Sequence, residues 1–198
     1  MSYPGFIKKL SWVGGGNMIQ YYFNSKKNNL FKKSNLNFEI IQKSMKNTVI
    51  FNDFENIYDF SIVRNEIYYN WRFFDNPVDK YTLFFIKDNK KIVGIFVLKK
   101  YLCDSTIVGH IVDWNILNPK YFIDIINFTK NYFFKKNIKK FSLWSLEKQK
   151  KILNINKICE SEVIMDRTYF GYRLLDEKFS NNININNFKI CMGDIDVF

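Results

Sequence analysis

Residues 81–137 read YTLFFIKDNKKIVGIFVLKKYLCDSTIVGHIVDWNILNPKYFIDIINFTKNYFFKKN, and this stretch decides the fold. Residues 81–86 and 91–100 are β-branched and aromatic runs of strand length, parted by the polar turn 87–90, which is a hairpin pattern. Residues 105–114 (STIVGHIVDW) make a third such run. Asn118 then supplies an N-cap and Pro119 a first helical position. Phe122, Ile125, Ile126, Thr129 and Phe133 recur at helical spacing through residue 136. Residues 138–144 (IKKFSLW) return as a strand, predicted to run parallel to the third across the helix. A hairpin joined to a crossover unit specifies an α+β protein with a mixed, twisted sheet and helices on both faces. The predicted core includes Phe84, Ile92, Ile95, Val97, Ile111, Ile125, Phe133, Phe141 and Leu143.

Outside this unit the pattern is less regular. Residues 3–12 read as a short helix, Gly14–Gly16 as a turn and residues 17–23 as a strand. Residues 24–36 (NSKKNNLFKKSNL) are polar and basic and mark a linker. Residues 52–58 and 63–73 read as helices, the second with Ile67, Tyr68 and Trp71 on one face and a stop at Asp75-Asn76-Pro77. Residues 146–157 read as a helix, and 167–174 and 187–192 as closing strands. No internal repeat of fixed period is visible.

Composition bounds the function class. The 198 residues, 47% hydrophobic and 19% aromatic, suit one domain or one domain plus a fragment. The longest apolar runs are strand-length and flanked by lysines, so no membrane-spanning helix is predicted. The N-terminus lacks a signal-peptide apolar stretch. Cys103, Cys159 and Cys191 are odd in number and without CxxC spacing, which predicts reduced thiols in the cytoplasm and no zinc site. The formal charge is +11. Its lysines are spread in pairs and arginines are few, which reads as composition rather than as a nucleic-acid surface.

Candidate chemistry is sparse. The single histidine, His110, is placed mid-strand, and any Ser-His-Asp or Cys-His site must use it. Asp113 lies an odd number of residues away, and on a regular strand it faces the opposite side. Gly193-Asp194-Ile195-Asp196 lacks the ligand count of a calcium loop and reads as a capped turn. Gly14-Gly15-Gly16 lacks the flanking strand and Lys-Ser/Thr of a phosphate loop. The aromatic groups around Tyr68–Phe74 and Phe133-Phe134 fit helix core. The strand-to-helix junction at 112–121 remains, since a helix start after a strand end presents free N–H groups to a phosphate. Here the junction contains no glycine, and Pro119 removes one donor.

The order of elements resembles a GNAT acyltransferase, and residues 69–77 (YNWRFFDNP), Lys80-Tyr81, Val93-Gly94, Gly109–Asp113 and the ending Met192–Phe198 resemble the C-terminal GNAT-like domain of bacterial polysaccharide-associated acetyltransferases. The resemblance spans about residues 50–198. Residues 2–12 (SYPGFIKKLSW) are similar to the late helix of a GNAT domain. The resemblance therefore implies a truncated two-domain chain, with residues 1–36 the tail of a preceding GNAT-like unit plus linker and 37–198 the GNAT-like domain. It implies acetyl-CoA as cofactor and, as partners, acyl-CoA with a small amine or a sugar. Asp113, Trp114, Asn115 and Asn118 are the cofactor-binding candidates. Two departures stand out. The family's Gln/Arg-x-x-Gly-x-Gly/Ala loop has no counterpart at 114–121, and Ile7 falls where a general-acid tyrosine is expected. Three readings follow. The first is acetyl-CoA-dependent N-acetyl transfer to an amine. The second is a catalytically inactive GNAT-like accessory module. The third, motivated by charge, is nucleic-acid binding.

Overall fold

The computed structural model describes residues 14–25, 35–45, 61–147, 149–172 and 188–194. The expected helices at 3–12 and 52–58 lie outside these residues. Among the described residues seven strands form one sheet: β1 (Gly14–Asn24), β2 (Leu36–Ile40), β3 (Tyr81–Asp88), β4 (Lys91–Cys103), β5 (Thr106–Ile116), β6 (Lys140–Leu146) and β7 (Ser161–Tyr172). Their order is β2-β3-β4-β5-β6-β1-β7. Every neighbouring pair is antiparallel except β5 and β6, which are parallel. This is the mixed α+β sheet expected from residues 81–144.

Local chemistry explains the connections. Asp104 and Ser105, the two-residue link between β4 and β5, both have positive φ, 45° and 66°. That backbone twist suits a two-residue hairpin, and Asp is one of the residues that tolerate it. Asn118 accepts from the Lys120 N–H, Pro119 opens a 3-10 turn, and α2 (Phe122–Lys135) follows. Asn137, at φ 57°, ends α2 with a left-handed residue. α2 lies on one face of the sheet, where Phe122, Ile125, Ile126 and Phe133 are buried against Phe96, Leu98, Ile111, Phe141 and Leu143.

The other face carries α1 (Glu66–Tyr69), capped by the Asn65 side chain, and its continuation Asn70–Phe74. The continuation widens to a π turn, in which the Asp75 N–H reaches the Asn70 carbonyl at 2.8 Å. Tyr68, Tyr69 and Phe73 pack there on Leu83, Ile95, Val97 and Val112. The buried face is thus not the one read from spacing, since Ile67 and Trp71 are 71% and 64% exposed. Ile67 and Trp71, like Tyr69 and Phe73, are four residues apart, so a 3.6-residue period alone fits either face. Of the expected core, Ile92 alone is only half-buried.

Three further expectations change. Gly14–Gly16 is strand, paired with residues 170–172, rather than turn. Among the described residues of 146–157, Leu146 belongs to β6 and the helical turns are α3 (Gln149–Ile152) and a 3-10 turn at Ile155–Lys157. Residues 187–192 are not a closing strand: among 188–194, only Phe188 makes a bridge, and Met192–Asp194 is a 3-10 turn. Strand β1 takes a place inside the sheet, between β6 and β7.

Gly109 on β5 lies under α2. A Cβ there would meet the Phe133 ring at 2.5 Å. Gly109→Ala is expected to lower stability by about 1–3 kcal/mol through overpacking. Adding Phe133→Leu should recover part of that loss in a urea denaturation series, which separates crowding from backbone effects.

Candidate functional site

The parallel pairing of β5 and β6 is brief. It runs from Gly109 opposite Phe141 to Ile111 opposite Leu143. Beyond that point β5 stays paired with β4 as far as Ile116, and β6 stays paired with β1 as far as Leu146. Each strand keeps its outer neighbour and loses the inner one, so a wedge opens in the sheet.

A β-bulge sits at the mouth of the wedge. Leu98 opposes Ile111 and Val97 opposes Asp113, leaving Val112 as the extra residue. The bulge changes the strand's parity. Asp113 therefore turns to the α1 face, the face His110 also takes, and the alternation argument from sequence fails here. The two residues still form no dyad, because each has other partners.

Asp113 is the centre of a buried ionic cluster. Arg64 Nε donates to its carboxylate at 2.8 and 3.1 Å, and the Tyr68 hydroxyl donates at 2.8 Å. A second guanidinium nitrogen of Arg64 donates to Asp194 at 2.6 and 2.7 Å and to Cys191 Sγ at 3.1 Å. Lys189 Nζ lies 3.9 Å from Asp113 and donates to the Trp114 carbonyl. Burial alone would raise the Asp113 carboxyl, but Arg64 and Lys189 and the hydrogen bonds hold it below the usual carboxylate range. Burial, then Arg64, pulls Lys189 down to about 8. Burial pushes the Cys191 thiol well up, so it is protonated and a poor nucleophile. Asp113, Cys191 and Asp194 offer ligand atoms within 4.8 Å of one another, a spacing that suits a cation. Arg64 already bonds all three, so the positive charge at this spot is a guanidinium.

The same cluster threads residues 188–194 through the wedge. Cys191 packs in the core on the α2 side, among residues that include Trp114, Ile111 and Leu143. Met192 packs in the core on the α1 side, with Val112 and Trp144. Consecutive residues on opposite faces place this segment between the two layers, at the level of the sheet, and the 3-10 turn Met192–Asp194 touches both β5 and β6. Gly193 fits because a Cβ would lie 3.1 Å from the Asp113 carboxylate and 3.2 Å from the Tyr68 hydroxyl.

The four candidates from sequence fall in or beside the wedge. Asp113 is engaged as described. The Trp114 indole is fully buried in the α2-side core, against Phe122. Asn115 is buried, with its side-chain oxygen 3.4 Å from Lys189 Nζ. Asn118 caps the turn before α2. Sequence reading missed Arg64 and Lys189. Arg64 is one of four arginines in the chain. A scarce arginine just before an N-cap was the available signal, but its partners lie up to 130 residues away.

A pocket of about 520 Å³ opens on the α1 face, at the closed end of the wedge. Lys99, His110, Ser142 and Tyr22 stand opposite one another on β4, β5, β6 and β1 and form its floor. Tyr101 and Trp144 are among its walls. His110 Nδ1 and Ser142 Oγ lie 2.9 Å apart, and Gln20 Nε2 donates to the same Oγ at 2.9 Å. Lys99 pairs with Asp79 at 2.9 Å. Burial and then Lys99 hold His110 down to about 4, so its imidazole is neutral near pH 7.

No family model and no curated protein sequence matches the chain. Solved structures do. A GCN5-related N-acetyltransferase from Anabaena variabilis matches 85% of this chain with a TM-score of 0.61 at 14% identity. A conserved Enterococcus faecalis protein of unknown function, described as a probable N-acyltransferase, matches 87% with a TM-score of 0.57 at 11% identity. The fold is GNAT-like. The chain spans only 43% and 42% of the length of these two proteins. No helix among the described residues is long and apolar enough to cross a membrane.

Arg64→Ala is expected to cost about 3–5 kcal/mol in denaturant titration, because it strands buried carboxylates without a counter-charge. For His110, the folded value of about 4 lies below the ordinary 6.5. Between those values the unfolded chain binds the extra proton. The contribution of His110 to stability is thus complete above about pH 6.5 and is lost as pH falls toward 4. The NMR titration of this lone histidine should centre near pH 4. His110→Gln should flatten the stability profile between pH 4 and 6.5.

Proposed function

We propose that this chain is a GNAT-like recognition module that binds a small ligand on its α1 face and does not carry out acyl transfer in the arrangement described. One observation supports this: residues 188–194 fill the wedge between β5 and β6. A pantetheine arm lying in that wedge would need the main chain beyond the bulge, where Lys189 holds the Trp114 carbonyl. It would also need the space of Cys191 and Met192, both fully buried. The junction to α2 has no glycine, and its N-cap oxygen already serves the Lys120 N–H. These residues, so arranged, do not fit acetyl-CoA.

The GNAT-like fold favours a second reading, acetyl-CoA-dependent N-acetyl transfer to an amine, for instance on a sugar or sugar nucleotide. That reading requires residues 188–194 to withdraw and the Arg64–Asp194 contact to break. Isothermal titration with acetyl-CoA distinguishes the two. The recognition reading expects no saturable heat at millimolar acetyl-CoA, either for the full chain or for Asp194→Asn. Micromolar binding by the full chain would overturn it. Gain of binding in Asp194→Asn by tenfold or more, about 1.4 kcal/mol, would establish a closed acyltransferase instead.

A further inference from the structure

We infer that the pocket over Lys99, His110 and Ser142 takes a small ring-bearing ligand with an anionic group. The ring would lie on the aromatic walls and the anion at Lys140. This rests on the reading of the module as a recognition unit, and it does not depend on whether the wedge ever opens.

The polar groups of the floor are largely satisfied by one another. Ser142 Oγ is shared by His110 and Gln20, and Lys99 is held by Asp79 and also lies over the rings of Tyr81 and Tyr101, at 5.6 and 5.7 Å. A ligand therefore gains little by offering many hydroxyls to this floor. It gains by covering the aromatic walls of Tyr101 and Trp144 and the Tyr22 ring of the floor. The second ring nitrogen of His110 stays available for one directed hydrogen bond, since Nδ1 is engaged by Ser142.

The charges around the pocket set the sign of the ligand. Three charged side chains line it: Lys99 from β4, Asp79 from the loop before β3, and Lys140 from β6. Asp79 neutralises Lys99 at 2.9 Å, which leaves Lys140 uncompensated within the lining. Lys140 is exposed and borders two further depressions that adjoin the pocket. A cation entering here would meet two ammonium groups and one carboxylate that is already paired. An anion would meet Lys140 at the mouth while its ring lay inside.

Phenyl phosphate is a suitable probe, with phenol, benzylamine and inorganic phosphate as comparisons. His110 is the only histidine of the chain, so its ring signals report on this pocket without assignment ambiguity. In the 198-residue chain at pH 7.5, phenyl phosphate should move those signals saturably in the millimolar range, about tenfold more tightly than phenol or benzylamine. Inorganic phosphate should leave them in place. Lys140→Ala should abolish the preference for phenyl phosphate over phenol. Tyr101→Ala should weaken both ring probes. Lys140 and Tyr101 are exposed, so neither change strips the core. If benzylamine or phenol bound as well as phenyl phosphate, the anionic class would be wrong while the pocket reading stood. If inorganic phosphate alone reproduced the shift, the ring would be irrelevant and the inference overturned. If no ring probe moved the His110 signals, both the inference and the recognition reading would fall.

Discussion

The carboxylate of Asp113 must carry its charge where no water reaches it, and much of the α1 face is arranged around that requirement. An ionised group so deeply buried is tolerated only when paired and hydrogen-bonded. Arg64 and Tyr68, from just before and within α1, and Lys189, from residues 188–194, meet the need. One small site thereby ties the entry to α1, the bulge of β5 and residues 188–194 together. The bulge is part of the same solution, because without the extra residue Val112 the Asp113 side chain would face α2 and its apolar core.

The same requirement bears on function. In a sheet that parts between two parallel strands, the open edge offers main-chain groups that some partner must satisfy. Here the partner in that place is the chain itself. The likeness to acyltransferase structures and the content of the wedge therefore bear on different questions: one concerns architecture, the other what that architecture has room to hold. The pocket on the α1 face is separate from this competition, since its floor is built where β5 and β6 are still paired.

Where the fold could be read from sequence, the contacts were local. The hairpin 81–100 is set by strand-length runs around a short turn, and α2 by an Asn-Pro start and a clean apolar stripe. What sequence did not show were the features set by distant partners or by a single inserted residue. The place of β1 depends on pairing with strands more than a hundred residues later. Val112 displaces the strand's two-residue period by one position, and periodicity arguments cannot see such a shift. The candidates Asp113, Trp114, Asn115 and Asn118 fall in or beside the wedge. Sequence could not say that an arginine, a lysine and a later segment of the same chain already meet there.

The position of β1 has a consequence for how the protein is made. Gln20 on β1 touches Ser142 on β6, 122 residues further along the chain. On a ribosome adding about 5–20 residues per second, β1 emerges and then waits on the order of ten seconds before β6 exists. Until then its apolar side chains Met18, Ile19, Tyr21 and Phe23, all buried in the finished sheet, have no docking surface. The β3–β4–β5 meander and α2 can assemble in that interval from neighbouring segments, whereas β1 must be kept from pairing elsewhere. A strand made early is thus among the last to be ordered, and insertion of β1 between β6 and β7 is the step at which synthesis and chaperone capture would compete.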